Sequence, residues 1–165
     1  MKDYIFEWQK NFKESDAKID SILDKHTELS NDELDQIAKR ETKIAYEKIN
    51  CLDCANCCKS APTNLEPHEI KKIASYLGIS KKNFESQYLI NDFDGQQILN
   101  KIPCPFLNDD NTCKIYEVRP QTCSSYPHTD KKGFRKLGNY HKKNLSFCPI
   151  TYFVVSEMFK NIKSV

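Results

Sequence analysis

Cys51, Cys54, Cys57, Cys58, Cys104, Cys113, Cys123 and Cys148 carry most of the chemistry in this 165-residue sequence. The first four lie in Cys51-Leu52-Asp53-Cys54-Ala55-Asn56-Cys57-Cys58, a C-x-x-C-x-x-C-C run. Two residues between cysteines is the spacing at which a tight turn aims both sulfurs at one metal. If the run is helical, 100° per residue keeps all four positions within about 120° of one another. Crowded thiolates repel, and a metal cation removes that cost while deprotonating them. Two other readings compete. Free cysteines can be buried as small hydrophobes, but four of them among polar neighbours in eight residues argue against that. Disulfides suit an oxidising compartment, and no export signal is evident. Adjacent Cys57 and Cys58 do not easily ligate one mononuclear ion together, so they are expected to serve different metals or different atoms of one cluster.

Cys104, Cys113, Cys123 and Cys148 are dispersed, each beside an expected turn or element end where free amides can hydrogen-bond sulfur. Cys148 precedes Pro149 and is expected at the N-cap of the last helix, where the dipole favours a thiolate by ~0.3–1 kcal/mol. Eight thiolates make two four-thiolate sites, or one iron–sulfur cluster and a further site. Among neighbouring polar residues, Arg119 is a candidate donor to cluster sulfurs or carbonyls, and Tyr126 a candidate donor to a thiolate. A salt bridge for Arg119 and plain half-burial for Tyr126 are the alternatives. His128 and His141 are candidates to replace a thiolate, whereas His26 and His68 fall on expected helix surfaces. Ser124-Ser125 lacks a base and an orienting acid in recognisable order, so no hydrolase triad is read.

The order of these positions resembles a known family. Cys51-x-x-Cys54-x-x-Cys57-Cys58, Cys104-Pro105-Phe106-Leu107, Cys113-x-Ile115-Tyr116-x-x-Arg119-Pro120-x-x-Cys123-x-x-Tyr126-Pro127 and Cys148-Pro149 together look like the YkgJ-type cysteine-cluster family. The resemblance covers about residues 51–155 and implies chelation of zinc or iron more firmly than any reaction. A related cluster occurs in flagellin lysine N-methylases, longer enzymes that carry an iron–sulfur cluster and use S-adenosylmethionine. One departure from the family pattern is Ala55-Asn56, where glycine is common after the second cysteine. Asn56 is expected to tolerate the left-handed backbone there.

These thiols need elements to position them. Residues 1–50 hold no Gly or Pro and read as an amphipathic helical hairpin, with Ile5, Trp8, Phe12, Ile19 and Ile22 at helical spacing in its first arm. Ser30-Asn31-Asp32-Glu33 has the form of a capping box for the second arm, which carries Leu34, Ile37, Ile44, Ala45 and Ile49 on one stripe. Packing on the cysteine domain is expected of this hairpin, with docking of a protein partner as the alternative. Residues 51–165 form the cysteine-cluster metal-binding domain. Within it Pro67 opens a helix that Gly78 stops, and Ser80 caps another. A small β-hairpin is expected around Asn108-Asp109-Asp110-Asn111, loop or weak strand from Tyr126 to Ser146, and a last helix from Pro149. The fold class is mostly α, with helices around a small irregular cysteine-rich core.

Composition narrows the function. Charge nearly cancels, with 25 basic and 23 acidic residues, so nucleic acid has no electrostatic footprint. The four glycines stand in no nucleotide-binding spacing. The longest apolar run, Ile150–Val155, is far short of the ~20 residues of a spanning helix, and the N-terminus has no secretory apolar stretch. The expectation is a cytoplasmic protein that chelates zinc or iron, an iron–sulfur cluster included, through eight cysteines. An iron-dependent redox or protein-modifying metalloenzyme is the alternative, and whether the chain is an enzyme stays open.

Overall fold

The computed structural model describes residues 2–24 and 29–163; His26 and the expected helix break at Thr27-Glu28 lie outside them. In chain order the elements are α1 (Lys2–Asn11), α2 (Ser15–Leu23), α3 (Asn31–Lys48), α4 (Asn56–Ser60), α5 (Pro67–Tyr76), α6 (Lys81–Tyr88), β1 (Leu89–Asn91), β2 (Gln97–Leu99), α7 (Gln121–Ser124), α8 (Gly138–Asn144) and α9 (Pro149–Lys163). The protein is mostly helical with one two-stranded antiparallel sheet. Two compact units divide it: residues 1–53 with 127–165, and residues 54–126.

The first unit is built on α9. Its Ile150, Phe153, Val154, Val155 and Met158 are all buried, as expected of a helix that is apolar on nearly every side. α1, α2 and α3 pack against it. The first arm is not one continuous helix. A tighter turn winds Phe12–Glu14, and Ser15 after it is buried. Trp8 joins the core and donates its indole N–H to the Leu145 carbonyl at 2.7 Å. α3 starts with the capping box read from Ser30 and Glu33, and its Leu34, Ala38 and Ala45 are buried, as is Ile49 just beyond it. The apolar stripe therefore faces α9, with Ile37 and Ile44 half-buried.

α8 replaces the loop or weak strand expected before Ser146. Gly133, Gly138 and many Lys make this stretch read as loop, yet Gly138 opens the helix where it passes close to Leu23. A Cβ on Gly138 would lie 2.5 Å from Leu23 Cδ1, so a larger residue would have to push the Leu23 side chain aside. The loop before α8 is tied to α3 by the Asp35 carboxylate, which accepts the Gly133 and Phe134 N–H groups at 2.8 Å each. Phe134 stacks on the fully buried His141 with centroids 4.3 Å apart. Burial, helped by the nearby His128 charge, pushes the His141 pKa down to about 4. The unfolded chain binds that proton first, near an ordinary value of about 6.5. Stability from a neutral His141 is thus complete above ~6.5 and lost as pH falls to about 4, by up to about 3 kcal/mol. Denaturant midpoints between pH 7 and 4 should fall for the native chain and flatten in His141→Leu.

In the second unit, Leu65, Ile70, Ile73, Ala74, Phe84, Leu89, Leu99, Phe106 and Ile115 form the core. Pro67 opens α5, and its capping box comes from Glu66 and Glu69. Gly78, at φ +69°, ends it, with the Ile79 N–H returning to the Ala74 carbonyl. Ser80 caps α6 as expected. The sheet, however, stands at β1 and β2, in the register Leu89↔Leu99, around a turn in which Asp92 accepts the Asp94 and Gln96 N–H groups. Around Asn108–Asn111 there is only a tight turn with the single bridge Leu107↔Cys113. Pro105 cannot donate to a ladder there, and the Cys104 amide is already bonded to the Cys58 carbonyl. No helix among the described residues is long and apolar enough to cross a membrane.

Candidate metal centre

Six cysteines belong to residues 54–126, and local backbone chemistry explains how each is presented. Cys54 ends a turn, and Ala55 follows at φ 48° and ψ 22°, in the left-handed region. The left-handed residue is therefore Ala55 and not Asn56, which begins α4. The left-handed conformation costs an L-residue with a Cβ roughly 1–2 kcal/mol. Ala55→Gly relieves it but raises the entropy of the unfolded chain, so a net gain of about 0.5–1 kcal/mol is expected in denaturant unfolding. Past Ala55, α4 carries Cys57 and Cys58 with their sulfurs 4.0 Å apart, sharing a weak hydrogen bond.

The Cys104 N–H donates to the Cys58 carbonyl at 2.8 Å, which brings the Cys104 loop onto α4. Lys114 N–H bonds the Phe106 carbonyl at 2.9 Å and places Cys113 beside that loop. Three of these thiols then receive backbone amides in the same way. Asn56 N–H serves Cys54, Phe106 N–H serves Cys104 and Ile115 N–H serves Cys113, each two residues along the chain. Such amides favour the thiolate over the thiol. Cys123 lies in α7 and is served by the Thr63 hydroxyl, 3.9 Å from its sulfur. Glu69, buried, holds α7 in place: one carboxylate oxygen takes the Gln121 N–H at 2.6 Å while the other takes the Glu66 N–H.

Electrostatics draws the six together. Burial raises the pKa of Cys54, Cys104 and Cys113, and pushes Cys123 up to about 12. The bond to Cys57, then burial and the Cys57 charge, hold Cys58 protonated far above the ordinary thiol range. Cys58 is close enough to Cys54, Cys104, Cys113 and Cys123 for their charges to act on one another. A bound cation reverses the sign of the local field. Lys59 supplies one fixed positive charge, lowering Cys54 and Cys58 while its ammonium donates to the Cys54 carbonyl at 3.0 Å.

Cys51 and Cys148 belong to the other unit. Cys148 is buried at the N-terminus of α9, as its place before Pro149 predicted, and the Tyr152 N–H reaches its carbonyl at 3.1 Å. Burial pushes its pKa up to about 12, against N–H groups of Thr151 and Ile150 and the Thr151 hydroxyl; the Cys51 charge acts on it too. Arg119 lies flat over Tyr116, 3.7 Å from the ring centroid, and its charge lowers Cys113. Tyr126 is half-buried at the end of its unit. His128 and His141 sit in the unit of Cys51 and Cys148, where His141 stacks on Phe134. Sequence reasoning missed Lys59, Thr63 and Glu69. Lys59 is legible as a charge beside Cys58, but Thr63 and Glu69 act across 60 and 52 residues.

The donor set suits a soft or borderline ion such as zinc or iron. The 4.0 Å between the Cys57 and Cys58 sulfurs is near the ~3.8 Å that two thiolates span on one tetrahedral ion with metal–sulfur bonds of about 2.3 Å. Among the described residues no group of three or more His, Cys, Asp or Glu side chains stands at ligand spacing. The thiols fit such an ion by their chemistry. Comparison with curated proteins and with solved structures returns no match. Residues 50–149 match the family model CxxCxxCC, described as "putative zinc- or iron-chelating domain", and the chain belongs to that family.

Proposed function

We propose that this protein binds zinc or iron through thiolates of its eight cysteines, all within residues 51–165, and that an iron–sulfur centre is one form the iron takes. The observation that carries this reading is the set of backbone amides placed two residues after Cys54, Cys104 and Cys113, aimed at their sulfurs. Amides so placed stabilise charge on sulfurs that burial otherwise keeps neutral, an arrangement suited to a ligand that arrives with positive charge. In this reading Cys54, Cys57, Cys58, Cys104, Cys113 and Cys123 supply one ligand group and Cys51 with Cys148 a separate pair. Arg119 tunes Cys113 by its charge, and Lys59 does the same for Cys54 and Cys58. A bound ion supplies Lewis acidity, or electron transfer if it is iron. The protein holds the thiols and stabilises their charged form through backbone amides.

The test is protection of the thiols from alkylation in the reduced, metal-free chain titrated with zinc or with iron(II) under argon. Binding should protect the cysteines and release one proton per ligating thiol. Equal reactivity of all thiols with and without either ion would overturn the reading.

A further inference from the structure

α7 carries Cys123 but cannot fix it in place. A helix of four residues does not persist alone. Its N-cap is Pro120, whose ring offers no acceptor to the first N–H groups of the helix. Acceptors come instead from residues 63–69. The Glu69 carboxylate takes the Gln121 N–H at 2.6 Å. Asn64 Oδ1 takes the Thr122 hydroxyl at 2.9 Å. The Thr63 hydroxyl lies 3.9 Å from the Cys123 sulfur. Three consecutive residues of α7 are thus each tied to one side chain of the same short segment.

That segment is itself anchored. The Thr63 carbonyl accepts the Leu99 N–H at 2.9 Å, the Leu65 N–H donates to the Gln97 carbonyl at 2.9 Å, and Asn64 bridges Ile98. Residues 63–65 therefore lie along the edge of β2 that β1 leaves open. Glu69 is only 7% exposed and stands in α5 beside the buried Ile70 and Ile73. A carboxylate is costly to bury unless its oxygens are hydrogen-bonded. Both oxygens of Glu69 serve backbone N–H groups, that of Glu66 at 2.8 Å and that of Gln121. The second bond reaches out of its own helix, to the residue two before Cys123.

We infer that Glu69 and Asn64 are positioning residues for the Cys123 thiol, holding α7 so that its sulfur is presented before an ion arrives. This rests on the metal-binding reading above, in which Cys123 is a ligand. Neither residue touches the ion; both act through α7. Such preorganisation removes an ordering cost from binding, and loss of a support of this kind typically lowers metal affinity about 10–100-fold. Glu69→Gln keeps the shape but offers one oxygen to two N–H groups, so one of the two bonds is lost.

The experiment is titration of the reduced, metal-free full chain with cobalt(II), followed by thiolate-to-cobalt absorption and by alkylation of the loaded chain read by mass spectrometry. Glu69→Gln should bind cobalt at least about 10-fold more weakly. Its Cys123 should alkylate several-fold faster than in the native chain, with Cys104 and Cys113 unchanged. Cys123→Ser removes the group through which Glu69 acts. Adding Glu69→Gln to Cys123→Ser should therefore weaken binding no further. Asn64→Ala should follow the same pattern, and it decides the matter if circular dichroism shows that Glu69→Gln fails to fold. Native affinity in both variants, faster alkylation of every cysteine alike, or equal weakening with and without Cys123 would each overturn the inference. Native affinity in Cys123→Ser would overturn it too, leaving metal binding intact. A native chain that binds neither cobalt, zinc nor iron would overturn the metal-binding reading itself.

Discussion

Removing metal from the native chain with a chelator is expected to unfold residues 54–126 while α1, α2, α3 and α9 keep their helical signal. The expectation follows from size. A unit of this length rarely gains more than roughly 3–5 kcal/mol from its apolar core, whereas a thiolate zinc site contributes an apparent ~10–16 kcal/mol. The core of Ile70, Ile73, Phe84, Leu99 and Phe106 is continuous but small, and α4 and α7, which carry Cys57, Cys58 and Cys123, span only five and four residues. Helices so short do not persist alone. The other unit has a different basis, since α9 buries Val154, Val155 and Met158 against three helices. Limited proteolysis read by mass spectrometry, beside circular dichroism, distinguishes the two units. Cleavage should appear within 54–126 on chelation and be suppressed by restoring zinc. Unchanged protection of that segment in the metal-free chain would contradict the expectation.

Phe84→Ala carries the next largest expected effect, a loss of about 3–5 kcal/mol. Phe84 is fully buried, its ring parallel to Phe106 at 6.2 Å and tilted on Tyr88 at 5.2 Å. Phe106 is also the residue whose amide serves the Cys104 sulfur. The cavity left by alanine therefore loosens a ligand loop as well as the core, and metal affinity should fall along with the denaturant midpoint. Phe84→Leu, closer in volume, should lose less than about half as much and retain metal. Equal affinity in native and Phe84→Ala chains would separate the core from the site and refute this coupling.

What was legible in the sequence follows the range of the interactions. The capping box at Ser30 and Glu33, the Pro67 start, the Gly78 stop, the Ser80 cap and the Cys148 position are set within a few residues, and each stands where its local signal placed it. Where tertiary contact decides, the reading failed. Gly138 looked like a loop residue because the side chain it passes close to, Leu23, is far away in the chain. Leu89 stands at helical spacing with Phe84 and Tyr88 yet opens β1, because β2 supplies the pairing and residues 63–65 bond the other edge of β2. The Asn108–Asn111 turn was recognised, but the strands around it were not there to extend it. At the site, the residue types and the free amides beside Cys104 and Cys113 were legible, but not that the serving amide stands two residues on, nor that Cys54 has one. The spatial grouping was not, since hydrogen bonds joining Cys58 to Cys104, Thr63 to Cys123 and Glu69 to Gln121 cross large sequence separations. Ala55 shows the limit of a local rule: the left-handed position was expected one residue later, because asparagine tolerates it better, and alanine takes it.

The most direct test of the central claim is metal and acid-labile sulfide analysis of the chain purified without oxygen, with its visible absorption spectrum. Metal-binding thiols require zinc or iron in at least equimolar amount: colourless if zinc, brown with sulfide if the iron is in a cluster. A chain that emerges without zinc or iron, takes up neither when reduced, and has all eight cysteines titrating as accessible thiols would contradict it.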